Sequence, residues 1–226
     1  MSVSSKSVVS KSVLSKSALA AALCLLAVPA PAQERSRTYL DAGYVAQKLK
    51  SAGSNPLLRL DDIDVDGAYA AGSVELGSQL FLTGSLHKGS GDNRLRAGQD
   101  VLAEFDVDAQ QAGIGLGYYR ALGERAEWTA EVGYQNTRIE FENRALRFSE
   151  KIDGNDYRVS LGLRDDLAPN LEGWARVNYI DGDVYEREFS GTVGALLKFN
   201  AMWGLSAEAS AGAGNQRYLV GVRASF

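Results

Sequence analysis

Apolar and polar residues alternate along this chain with a period of two, in blocks of about ten residues closed by Gly, Asp, Asn or Ser. Ten blocks predict ten strands: 38–47, 64–76, 79–88, 108–120, 127–138, 155–165, 171–181, 187–199, 203–212 and 217–226. In 108–120 the apolar set is Ala112, Ile114, Leu116 and Tyr118; in 155–165 it is Tyr157, Val159, Leu161 and Leu163. The last block, RYLVGVRASF, places Tyr218, Val220, Val222, Ala224 and Phe226 at every second position, with Leu219 as the one apolar residue on the other face. Helical periodicity is hard to find after the first 32 residues.

The apolar faces are nearly free of charge, and the opposite faces are not. They carry six acids (Asp41, Glu75, Glu127, Glu131, Glu172, Glu208) and six bases (Arg158, Arg164, Arg176, Lys198, Arg217, Arg223), with Gly and Ser between them. Two architectures produce half-apolar strands. A soluble sandwich or lipocalin turns the apolar face inward, whereas an outer-membrane barrel turns it to lipid and lines its interior with the polar face.

Three features favour the membrane. The connections after the second, fourth, sixth and eighth strands are short, and those after the first, third and fifth are long, as in barrels with short periplasmic turns and longer external loops. Aromatic residues fall into two belts: Tyr39, Tyr119, Trp128, Phe199, Trp203 and Phe226 toward the short turns, and Tyr134, Tyr157, Tyr179 and Tyr218 toward the long loops. Amphipathic rings prefer the two bilayer interfaces. Lastly, the charged face is balanced in sign, which a narrow interior requires because a buried unpaired charge is very costly. The predicted fold is all-β: a closed antiparallel up-and-down transmembrane β-barrel of ten strands, with both chain ends on the periplasmic side.

The start of the chain sets the compartment. Residues 1–17 are Ser-rich and carry Lys6, Lys11 and Lys16 but no acid; an apolar run follows to Val28, and Ala30 and Ala32 supply the small residues of a leader-peptidase site. The run is shorter than the roughly 20 residues of a spanning helix. We therefore expect a cleaved signal peptide, 1–32, Sec-dependent export, and a barrel domain, 33–226. The only cysteine, Cys24, lies in that leader and follows Leu23 rather than a small residue, so neither a lipid anchor nor a disulfide is expected. Removing the three leader lysines from 24 basic and 28 acidic residues leaves a formal charge of −7, which argues against a nucleic-acid partner.

The alternating last strand closed by a terminal Phe resembles the C-terminal signal of bacterial outer-membrane barrels. The resemblance implies recognition by the barrel-assembly machinery through Tyr218, Val220, Val222 and Phe226. The whole stretch 33–226 is similar to the small monomeric outer-membrane barrels, in which eight strands is the better-known size and is the alternative to ten. The segments YLDAGY, GSVELGSQLFLTGS, GIGLGYYRAL and EVGYQ resemble a Xanthomonas-type group, some of whose members are described as quorum-regulated.

Candidate chemistry is sparse. The one histidine, His87, shares a strand face with Ser85, and Asp92 follows in the predicted loop; a Ser–His pair needs an acid to orient the ring, and no acid is placed for it. Asp62, Asp64, Asp66 and Gly67 match half of an EF-hand loop, but Ser73 stands where Glu is needed and a strand follows. A loose cation site shared with lipopolysaccharide is the functional alternative to a plain polar rim. Arg94, Arg96, Arg144 and Arg147 of the long loops are candidates for lipid A phosphates. Neither a catalytic residue nor a cofactor or metal ligand is assigned.

The expected site is a lumen charge network of Asp41, Glu75, Glu131, Glu172 and Glu208 with Arg158, Arg164, Arg176, Lys198, Arg217 and Arg223. The expected function is that of a non-enzymatic, porin-like integral barrel with a largely filled lumen, acting through surface-exposed loops in envelope structure, adhesion or surface interaction. A narrow channel is the alternative, and an enzyme using His87 the third. Expected partners are outer-membrane lipid, lipopolysaccharide and the assembly machinery.

Overall fold

The computed structural model describes residues 36–50, 54–55, 58–77, 79–97, 100–143, 148–185 and 187–226. The expected signal peptide lies outside these residues, as do Arg144 and Arg147. Ten long strands form: β1 (Tyr39–Leu49), β2 (Ile63–Gly77), β3 (Leu80–Ala97), β4 (Asp100–Leu122), β5 (Ala126–Asn143), β6 (Phe148–Ala168), β7 (Leu171–Gly182), β8 (Glu188–Lys198), β9 (Trp203–Gly212) and β10 (Asn215–Ser225). Each pairs antiparallel with its chain neighbours. β1 pairs on one side with β2 (Tyr39↔Ser73) and on the other with β10 (Tyr39↔Ser225), so the sheet closes and no edge faces lipid. A short ribbon, Ser54–Asn55 with Leu58–Leu60, runs beside the outer end of β3. The count is ten, not eight.

Lipid as solvent dictates the inside-out burial. Leu161 is 60% exposed and Val177 62%, whereas Glu172 and Asp156 have no exposure at all. Outward residues keep one parity along each strand and inward residues the other.

The wall is uneven. β1 and β7 to β10 are 10 to 12 residues long, close to the 9–11 that cross a bilayer. β3 to β6 run for 18, 23, 18 and 21 residues. The segments expected as long loops after the third and fifth strands are therefore continuous hairpin, paired from Gly89↔Ala109 out to Ala97↔Asp100 and from Ile139↔Ile152 out to Asn143↔Phe148. The physical reason is a change of solvent. Above the bilayer the outer face meets water, so the apolar residues move inward: Val107 and Phe105 point in while Asp106 and Asp108 point out. A reading that follows one apolar face ends the strand where this phase inverts.

The inward apolar residues meet at the external end. Val65, Val107 and Ile139 are buried together, with Leu49, Ile63, Ala109 and Phe141 packed around them. Above them opens a cavity of about 650 Å³.

Two belt residues expected on the lipid face turn inward. The ring of Tyr39 lies under the Arg223 guanidinium at 4.0 Å, and Tyr119 donates its hydroxyl to Glu75. Trp128 with Tyr118, and Tyr134 with Tyr157, stay outside as ring pairs with centroids 5.5 and 5.6 Å apart.

Candidate functional site in the charged lumen

Along its axis the interior is layered. At the periplasmic end, Arg164 of β6 takes Glu172 of β7 in a fork, Nε to Oε1 at 2.5 Å and Nη2 to Oε2 at 2.8 Å. Lys198 of β8 adds its ammonium to Glu172 at 3.3 Å, and Arg164 also reaches Glu127 at 3.6 Å. Glu127 is held in turn by Arg37, which precedes β1 and folds back into the barrel mouth over the rings of Phe81 and Tyr119. Ser36 fastens the seam, donating its hydroxyl to the Phe226 carbonyl at 2.6 Å, while the Phe226 N–H donates to Thr38 at 2.9 Å.

The middle layer holds three acid-centred groups. Asp41 accepts from Arg223 at 2.9 Å, from the Tyr69 hydroxyl at 2.8 Å and from Ser206 at 2.9 Å. Glu131 accepts from Arg158 at 2.7 Å and Thr83 at 3.3 Å. Glu208 accepts from Arg176 and, at 2.9 Å, from the Trp174 indole. Each of these carboxylates thus has at least two donors, which is what a low-dielectric interior demands. The arms need room: a Cβ at Gly115 would lie 2.7 Å from a Glu131 oxygen, and one at Gly194 would collide with the Trp174 ring.

Above the charges comes a neutral layer. Ser160 donates to Asn178 at 2.8 Å, Asn178 to Thr192 at 3.0 Å, and Thr192 pairs with Ser210 at 2.9 Å. Arg217 reaches this level. It donates to Gln111 at 3.1 Å and has no carboxylate within ion-pair distance among the described residues.

The structure therefore brings together nine of the eleven expected lumen charges and separates two. Glu75 is exposed at the periplasmic rim, beyond the lumen, just before β2 bulges between Glu75 and Gly77. Arg217 lies in the lumen with no carboxylate within ion-pair distance among the described residues, feeling Glu208 only at longer range. Sequence reasoning missed Arg37, Trp174 and Tyr185. Arg37 lies before the first alternating block, Trp174 reads as one more aromatic, and Tyr185 sits in a connection. Its residues Val184 and Tyr185 are tied inward by Asp156, whose Oδ1 accepts from their N–H groups at 3.0 Å each. Tyr185 then borders the external cavity on one side and two small cavities on the other, one polar and one largely apolar, and burial pushes its phenol above the usual range.

Of the terminal set, Tyr218, Val222 and Phe226 are exposed on the lipid-facing parity and Val220 is half-buried on it. His87 points inward and stacks on Tyr69 with centroids 6.1 Å apart. Asp92 has the parity of lipid-facing Leu86 and lies on the opposite face of β3, so it cannot orient the imidazole. Asp62 and Asp64 flank Lys48 at 3.3 and 3.9 Å, and no cluster of three metal-ligating side chains forms among the described residues. Arg94 and Arg96 are engaged by Glu104 at 2.8 Å and Asp61 at 2.7 Å.

A closed sheet with a lipid-facing apolar stripe and a charged interior defines an integral β-barrel. The chain belongs to the outer membrane protein beta-barrel domain family, which matches residues 18–199, and this assigns it to the bacterial outer membrane. No curated protein matches it. Among solved structures it is similar to the translocator domain of the autotransporter NalP from Neisseria meningitidis, at 15% identity over 84% of this chain and 88% of that one, with a TM-score of 0.52. The beta domain of the Bordetella autotransporter BrkA gives 14%, 85%, 100% and 0.50 in the same order. Ail, the attachment invasion locus protein of Yersinia pestis, gives 13%, 85%, 100% and 0.44. These likenesses concern the fold.

Proposed function

We propose that this protein is a non-enzymatic outer-membrane barrel with a closed lumen, acting at the cell surface through its tall β3–β6 wall in adhesion or envelope structure. The observation that supports a closed lumen is the size of its voids. The polar cavities along the axis measure about 110, 90 and 60 Å³. At roughly 10–15 Å³ per water, they hold from about four to about eleven waters each, far short of a wide aqueous pore. The tall wall carries no motif for chemistry and projects charged side chains of both signs into water, which suits a contact surface.

Planar-bilayer recording tests the lumen: no steady openings are expected, and ion-selective conductance would overturn the reading. Shortening the β3–β4 and β5–β6 hairpins to the height of β7 is expected to leave insertion intact and remove surface attachment of cells. Unchanged attachment counts against the adhesive role. A narrow channel is the second reading, favoured by the stacking of polar cavities beneath Tyr185. His87→Ala is expected to change no hydrolytic activity.

Biogenesis follows the same proposal: Sec export with removal of 1–32, then assembly as a monomer among outer-membrane lipid and lipopolysaccharide. Deleting Phe226 is expected to reduce insertion by the assembly machinery, and normal insertion of that variant would speak against the terminal signal. Within the family, the strand motifs ally the chain with the Xanthomonas-type small barrels.

A further inference from the structure

We propose that the external cavity is a binding site for a compact apolar molecule carrying a protonated amine. Its volume, about 650 Å³, lies within the roughly 300–1,000 Å³ of small-molecule pockets. The closed lumen does not require it. A wall that only displayed its outer surface would have its inner apolar residues packed against each other, as Val65, Val107 and Ile139 are one layer below. Higher up they stand apart: Ile152 is inward-facing yet 44% exposed, and Phe148 42%. Phe105 meets Phe148 edge-on with centroids 6.0 Å apart, which leaves ring faces for a ligand.

The polar groups of the lining select the head group. Among the described residues, Glu150, Asp183 and Glu188 face one base, Lys50, a surplus of two negative charges around an apolar chamber. Asn93, 2% exposed in the same wall, holds an amide oxygen without a hydrogen-bond partner among the described residues. Acceptors and carboxylates together favour a cationic donor and disfavour a carboxylate. Tyr185 closes the floor, so the ligand is held rather than passed to the lumen.

The test uses the full protein in lipid nanodiscs with methyl-labelled Ile, Leu and Val, titrated with 1-aminoadamantane and, separately, 1-adamantanecarboxylate. Saturable shifts at Ile63, Leu95, Ile139 and Ile152, absent at lipid-facing Ile114 and Leu161, are expected for the amine. The carboxylate should bind at least about tenfold more weakly. Ile152→Gln should weaken the amine about tenfold through lost apolar contact, and Glu150→Gln about threefold. Ile152 and Glu150 are already exposed to the cavity, and the unperturbed spectrum of each variant reports its fold. Linear shifts, shifts at the lipid-facing methyls, equal binding of the two probes, or unchanged affinity in both variants would overturn the proposal. So would lipid acyl contacts to Ile63 that the amine fails to displace.

Discussion

The two ends of this barrel interior are built from the same inward parity and opposite chemistry. At the periplasmic end, Arg37, Glu127, Arg164, Glu172 and Lys198 interlock beside a void of only about 90 Å³. At the external end the same face supplies Val65, Val107, Ile139 and Phe141, and above them empty space. The difference follows from what lies outside each level. Where the outer face must dissolve in lipid, the inner face is left to hold the charges. Where the outer face stands in water, the inner face can take the apolar residues, as in a soluble barrel. The charged end is held by pairing, which fails sharply when one partner goes. The apolar end is held by packing, which yields more gradually.

The largest test of this contrast removes one charge from the interlock. Glu172→Ala strands Lys198, leaves Arg164 only the longer ion-pair contact to Glu127, and should cost about 3–5 kcal/mol, measured by urea unfolding from lipid vesicles. Replacing the trio together, Arg164→Met, Glu172→Leu and Lys198→Met, should recover most of that loss. A single variant no less stable than the parent would dissolve the distinction. Next, Ile139→Ala at the apolar end should cost about 2 kcal/mol, the low end for such truncations, because the cavity above lets neighbours settle. A smaller effect concerns pH. Asp153, beyond the bilayer on β6, is held below the usual carboxylate range by its hydrogen bond from Asn136 and then by Arg138. Its folded value is depressed, so its contribution is complete at neutral pH and is lost as pH falls through that lowered value, below the ordinary ~3.9. Amide protection factors at the outer β5–β6 ends, corrected for intrinsic exchange, should therefore fall in acid, and Asp153→Asn should abolish the difference. Smallest of all, Arg94→Ala breaks an exposed pair with Glu104 and should change stability by less than about 1 kcal/mol.

Strand number, closure and the short turns were legible because one solvent, lipid, imposes one phase on every spanning segment. The outer halves of β3 to β6 were not, although their own alternation is plain. Asp106-Val107-Asp108 and Arg138-Ile139-Glu140 continue the same pleat with the apolar residue on the other side, and a search for one continuous apolar face reads that as an ending. In the lumen, the charged face was legible and the pairing was not, since partners such as Arg176 and Glu208 come from strands that are not neighbours. Arg37 and Tyr185 lay outside any periodic block, so nothing in the pattern marked them as inward.

The uneven wall gives the molecule a front and a back in the plane of the membrane. On the side of β3 to β6 a neighbour approaching through the outer leaflet meets a charged palisade, with Asp92, Arg94, Glu104, Asp106, Glu140 and Glu142 turned outward on strands of 18 to 23 residues, against 10 to 12 for β7 to β10. On the side of β8 to β10 it meets strands of 10 or 11 residues, about the length that crosses a bilayer. Rotation about the membrane normal therefore changes what the protein shows its surroundings.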